Sequence, residues 1–195
     1  MSSAALVVFE RLMEQVSAVR AAAGREAAGG HHGTGPVLLR SAVVLSVAAF
    51  DTYVHERGVE LLKDRAASGA TEASDVARFL GGGTTAADIT GGSAELFIRY
   101  RLSYRTLVSP LKVDEVIAAS GRDAERVWLE VALALGSRPD RLRALVQLQY
   151  DRRNQIAHEG DWDSVALDFR PLEEVHLDDC VRCLEGLAQH LDALL

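Results

Sequence analysis

The sequence predicts an all-α fold, and three observations carry that expectation. Apolar residues recur at helical spacing through most of the chain. Only 4 prolines interrupt 195 residues. No stretch alternates apolar and polar residues long enough to argue for a strand. With 48% hydrophobic and 25% charged residues, the composition is that of an ordinary folded protein, and the length suits one core. A single domain over 1–195 is expected, with 67–93 as a flexible insertion.

The first helix is expected over about 4–27, where Leu6, Phe9, Leu12, Met13, Val16 and Val19 form one stripe. "AAGGHHGTGP" then ends it, because Gly29, Gly30, Gly33 and Gly35 favour loop conformations and Pro36 suits a new first turn. His31 and His32 read as polar residues of that turn. The second helix, from near Pro36 to about Lys63, is apolar nearly all round through Val54, which suits the centre of a bundle. Over 67–93 the composition turns to Gly, Ser, Thr and Asp, so "GGGTTAADITGG" reads as a surface loop or flap. It lacks the Lys-Ser/Thr ending of a phosphate-binding loop. Shorter helices are expected at about 94–108, 113–119 and 124–135. Ser137 as a cap and Pro139 in the first turn open the next helix, and a last one covers about 177–194.

The N-terminus has no basic leader before Glu10 and Arg11, so no signal peptide is expected. The most apolar segment carries Arg40 and Asp51, leaving a clean run shorter than the roughly 18–20 residues a bilayer needs. Cys180 and Cys183 are too few for a secreted disulfide framework, and a cytoplasmic protein is expected. The net charge of −7 argues against a generic nucleic-acid coat, since nonspecific binding needs phosphate neutralisation by cations. Local basic runs remain: Arg99, Arg101, Arg105 and Lys112, then Arg138, Arg141, Arg143, Arg152 and Arg153. Runs of this kind are most often solvated faces. His176, Cys180 and Cys183 share a helical face but cannot easily converge on one metal. No metal or cofactor is expected, and the cysteines read as small buried hydrophobes.

Chemistry concentrates in "QYDRRNQIAHEGDWD", Gln149 to Asp163. At 100° per residue, Leu142, Leu145, Val146 and Ile156 share one helix face, and Arg153 projects within the same arc. A partly desolvated guanidinium calls for an opposing acid. Asp51, which interrupts the apolar second helix, is the candidate. His55, one turn later, fits either that acid's network or a surface position. Asn154 and His158, four apart, neighbour one another on the flank of the helix. A histidine there suits proton transfer, and an arginine offers a planar fork to a phosphate. The same pair also fits a structural role, with His158 at a helix C-terminus and Arg153 in an ion pair. Tyr150 reads as a base-stacking residue or an interface residue, and Trp162 as a cover for the cleft or as packing.

"RRNQIAHEG" resembles the R-x4-H signature of the HEPN superfamily, read as Arg153-Asn154-Gln155-Ile156-Ala157-His158. "LLRSAVVLSVAAFDTYVHE" is similar to that family's apolar helix with an acid near its end, and the RiboL-PSP type of HEPN domain is the nearest in character. The resemblance leaves out 67–93 and much of 119–136. It implies a helical bundle with a long central helix that dimerises with its motif helices facing across a shared cleft. It also implies a metal-independent endoribonuclease of toxin–antitoxin or antiphage systems. On this reading Arg153 and His158 are catalytic, Asn154 supports them and Asp51 orients the Arg. Arg152 and Tyr150 are candidate RNA contacts, and a cognate antitoxin or sensor protein is an expected partner. A non-catalytic HEPN-like module that dimerises and binds a protein partner is the alternative.

Overall fold

The structure is a computed structural model that describes residues 2–29 and 33–195; His31 and His32 lie outside the described residues. Ser3 starts the first helix, its Oγ accepting from the Leu6 amide at 3.1 Å and covering one of the donors that a helix N-terminus leaves open. Helix α1 (Ala4–Ala28) buries Leu6, Phe9, Met13 and Val16 against α2 (Thr34–Ala67).

Helix α2 is the spine. Its 34 residues bury Val43, Val47, Phe50, Tyr53 and Leu62. It packs against α1, α3 (Ala70–Leu80), α4 (Ala86–Thr90), α5 (Ala94–Leu102), α6 (Pro110–Ala119), α8 (Pro139–Glu159) and α9 (Glu174–Leu194). By length and composition α2 could cross a membrane, contrary to the expectation of too short a run. In this fold its apolar surface is the contact surface for the other helices. Between α6 and α8, α7 (Ala124–Ala134) buries Trp128, whose indole N–H donates to the Asp114 carboxylate. Among the described residues the chain is all-α except for a two-stranded antiparallel hairpin, β1 (Trp162–Asp163) with β2 (Asp168–Phe169).

Two expectations are corrected. The segment 67–93 packs onto the core instead of lying loose: Ala73, Val76, Ala77 and Leu80 form a buried stripe on α3, and Ile89 of α4 joins them. The helix expected to reach 108 stops at Leu102. The chain beyond is captured by α2, where the Leu107 amide donates to Asp51 Oδ1 at 2.6 Å. The His55 ring nitrogens lie 2.7 Å from the Asp51 carbonyl, 3.2 Å from that of Leu102 and 3.0 Å from that of Arg105. Side-chain bonds to backbone groups compete with continued helix, and here they win.

Candidate functional site at the end of the motif helix

Pro139 occupies the first turn of α8, where its missing amide costs nothing. The inward face then buries Leu142, Val146 and Gln149, with Tyr150 and Ile156 packed at its edge. Gly160 ends the helix with φ 63°, and Asp161 follows in the same left-handed region at φ 62°. The Asp161 amide donates back to the Gln155 carbonyl at 3.0 Å, the six-residue closure of a Schellman motif. This reversal drives the Asp161 carboxylate under the helix end, where the residue is fully buried.

Two arginines meet that carboxylate. Arg152 donates from Nη1 to Oδ1 and from Nη2 to Oδ2, the second bond at 2.9 Å. Arg40 of α2 donates from Nε to Oδ2 at 2.6 Å, from Nη2 to the Arg170 carbonyl at 2.9 Å and from Nη1 to the Pro36 carbonyl at 3.2 Å. The Arg170 amide donates to the Asp161 carbonyl at 2.9 Å. One buried acid thereby ties α2, α8 and the hairpin together, and its cost of desolvation is offset by paired, charge-assisted bonds. The Arg40 guanidinium also lies 5.2 Å from the Phe169 ring centroid, and Trp162 meets Phe169 edge-on at 5.4 Å.

The expected site residues fall into two groups. Arg152, a candidate RNA contact, is consumed by Asp161, with further bonds to the Gln155 side chain and the Pro171 carbonyl at 3.3 Å each. Asp51 does not oppose Arg153: its carboxylate holds the Leu107 amide and lies 3.7 Å from His55 Nδ1. The acid under the motif is Asp161, and because it is buried it presents no charge to repel RNA. Arg153 is half-buried, with its guanidinium 5.4 Å from the Tyr150 ring centroid, a cation–π contact. Among the described residues the Arg153 side chain makes no ion pair or hydrogen bond, and neither does the side chain of half-buried Asn154 or of exposed His158. Five residues apart, Arg153 and His158 project about 140° from each other around α8. Tyr150 has one face under Arg153. Trp162 is 43% exposed and packs edge-on against Phe169.

No family model, curated protein or solved structure matches the chain. Among the described residues, no group of three or more His, Cys, Asp or Glu side chains is placed to hold a metal ion. The other basic run is engaged within the chain, except that Arg101 Nε is buried without a hydrogen-bond partner among the described residues. Arg99 pairs with Glu56 and Glu95, Lys112 pairs with Glu115, and Arg101 and Arg105 donate to the Leu80 carbonyl at the end of α3. Sequence reasoning missed Arg40 and Asp161 as partners. The available signal was an acid directly after a helix-ending glycine, with an arginine alone in an apolar helix.

Proposed function

We propose that the chain is a metal-independent endoribonuclease of HEPN type, acting in the cytoplasm as a homodimer. The observation that carries the reading is the contrast between neighbouring side chains. The Arg152 side chain is engaged within the chain, whereas the side chains of Arg153, Asn154 and His158, the residues matching the signature, have no hydrogen-bond or ion-pair partner among the described residues. A half-buried guanidinium without a carboxylate is placed to receive an outside anion, and a phosphate diester is the matching anion in RNA.

In the reaction, the ribose 2′-oxygen attacks the adjacent phosphorus, forming the cyclic 2′,3′-phosphate, while the bond to the 5′-oxygen breaks. The 2′-hydroxyl proton goes to a base and the departing 5′-oxygen takes a proton from an acid. His158 serves in these transfers, and Arg153 stabilises the charge on the phosphorane oxygens. In the homodimer that the resemblance implies, one His158 acts as base and its twin as acid. A role in toxin–antitoxin or antiphage defence, with an antitoxin or sensor as partner, is proposed from the resemblance.

A second reading, a non-catalytic dimerising module that binds a protein partner, is favoured by exposed Val37, Leu148, Trp162 and Phe169. Labelled RNA incubated with purified protein in EDTA separates the two. Cleavage leaving cyclic phosphate ends, lost in Arg153→Ala and His158→Ala, supports the nuclease. A folded wild-type protein inert toward single-stranded and structured RNA, or an undiminished His158→Ala protein, overturns it.

A further inference from the structure

Gln149 heads the stretch that carries the signature, yet no step of the ribonuclease reading uses it. It lies on the inward face of α8, 8% exposed, and its side-chain amide has no hydrogen-bond partner among the described residues. Buried polar groups are nearly always bonded, because an amide taken out of water without a partner costs free energy. The side chain borders a pocket of about 310 Å³ where α2, α8 and the start of α9 meet.

Val43, Leu145, Leu148, Pro171 and Leu172 wall this pocket, so the space beside the amide is aliphatic. The charged groups that line it are met within the chain. Arg152 holds Asp161 through both terminal nitrogens, and Asp179 pairs with Arg182 at 2.9 Å. His176 accepts the Glu173 amide on Nδ1 at 3.0 Å, which requires that nitrogen to carry no proton. An ionised ligand finds no free counter-charge here, and burial of its charge is opposed. The fitting occupant is uncharged.

The amide narrows the choice further. Gln149 offers N–H and C=O groups side by side, so its full complement is a C=O and an N–H on one edge of the ligand. A linear peptide bond is trans and turns those two groups in opposite directions. The amide of a small ring is held cis, presents both groups along one edge, and backs them with methylenes that meet the aliphatic walls. A nucleobase has a comparable edge, but no Phe, Tyr or Trp lines the pocket to stack on it.

We infer that the pocket between α2, α8 and α9 is a binding site for a small uncharged aliphatic lactam, held by paired hydrogen bonds to the Gln149 amide. A ligand seated there touches three helices beside the contact between Arg152 and Asp161. Gln149 and His158 stand nine residues apart, about 180° around α8. The site therefore lies across the helix from the signature histidine and does not rest on the ribonuclease reading.

The test is a titration of the isotope-labelled full chain with ε-caprolactam, following the Gln149 side-chain amide by NMR. That resonance is expected to shift, with a dissociation constant of about 1 mM, as suits so small a molecule. N-methylcaprolactam, which lacks the donor, is expected to bind at least about tenfold more weakly, because it leaves the buried acceptor unpaired. Gln149→Leu should melt no lower than wild type, since it removes an unbonded amide, and should lose the preference between the two lactams. Saturating caprolactam that leaves the Gln149 resonance in place overturns the assignment, as does equal binding of the two lactams to wild type. Uridine that binds where caprolactam does not also overturns it, and gives the pocket to a base. Should Gln149→Leu fail to fold, the comparison of ligands on wild type decides alone.

Discussion

Arg152 grips Asp161 through both terminal nitrogens, nine residues along the chain and around the left-handed turn at Gly160. The contact turns the end of the motif helix into a clamp, because Arg40 holds the same carboxylate from α2. The neighbouring Arg153 side chain takes no part in it and lies against the Tyr150 ring.

Removing the shared acid should be costly. In Asp161→Asn, Arg40 and Arg152, whose side chains are 15% and 17% exposed, keep their charges without the carboxylate. A loss of about 3 kcal/mol is expected. Urea denaturation measures it, and a change under about 1 kcal/mol would show that the clamp is not structural.

Arg152 and Arg153 should separate stability from activity. Arg152→Ala is expected to lower stability by about 2 kcal/mol or more, since it breaks a bidentate pair with a buried acid. Arg153→Ala loses only the Tyr150 contact, about 1 kcal/mol, yet should reduce RNA cleavage by at least about 100-fold. Melting curves and initial rates on the same preparations decide. Equal effects on both readouts for both variants would contradict the division.

His55 fastens the 103–109 segment to α2. His55→Leu keeps the bulk but leaves the carbonyls of Asp51, Leu102 and Arg105 without the ring. A destabilisation of about 1–3 kcal/mol is expected, with faster hydrogen exchange at the Leu107 amide. Unchanged exchange there would show that Asp51 alone holds the loop.

Alkaline pH should weaken the fold through the cysteines. Burial pushes the Cys183 thiol up to about 11; burial, with Cys183 nearby, pushes Cys180 up to about 12. In the unfolded chain a thiol ionises near about 8.5. Both groups are therefore protonated in both states below that value, and their contribution is fully present. Above it the unfolded chain binds fewer protons than the folded one. Stability then falls, by at most about 1.4 kcal/mol per pH unit per thiol, until the folded thiols ionise in turn. Denaturation between pH 7 and the onset of base hydrolysis should show this slope. Cys180→Ala with Cys183→Ala should flatten it, and a slope unchanged in that variant would place the effect elsewhere.

Much of the scaffold was legible because its signals are local. The stripe from Leu6 to Val16 located α1 to within a residue at each end, and the apolar run around Val47 and Phe50 marked the central helix. The inward lean of Arg153 followed from angle alone. Its supposed partner did not, because Asp51 and Asp161 are both acids beside apolar stretches, and only the reversal at Gly160 decides which one lies under α8. The helix α3 escaped notice although Ala73, Val76, Ala77 and Leu80 stand at clear helical spacing. The glycines, serines and threonines around that stripe set the composition of 67–93 as a whole and masked it. The hairpin, with two residues in each strand, was too short for alternation to register.

The bond between Arg40 and Asp161 spans 121 residues of chain, whereas α1 and α2 follow one another directly in the sequence, Ala28 ending the one and Thr34 starting the other. Contacts between adjacent helices close quickly, and distant ones wait for the intervening chain to collapse. The α1–α2 pair therefore assembles early as a nucleus, and the clamp locks late in folding. Newly made molecules would thus pass through a stage in which the bundle stands but the end of α8 is not yet tied to α2.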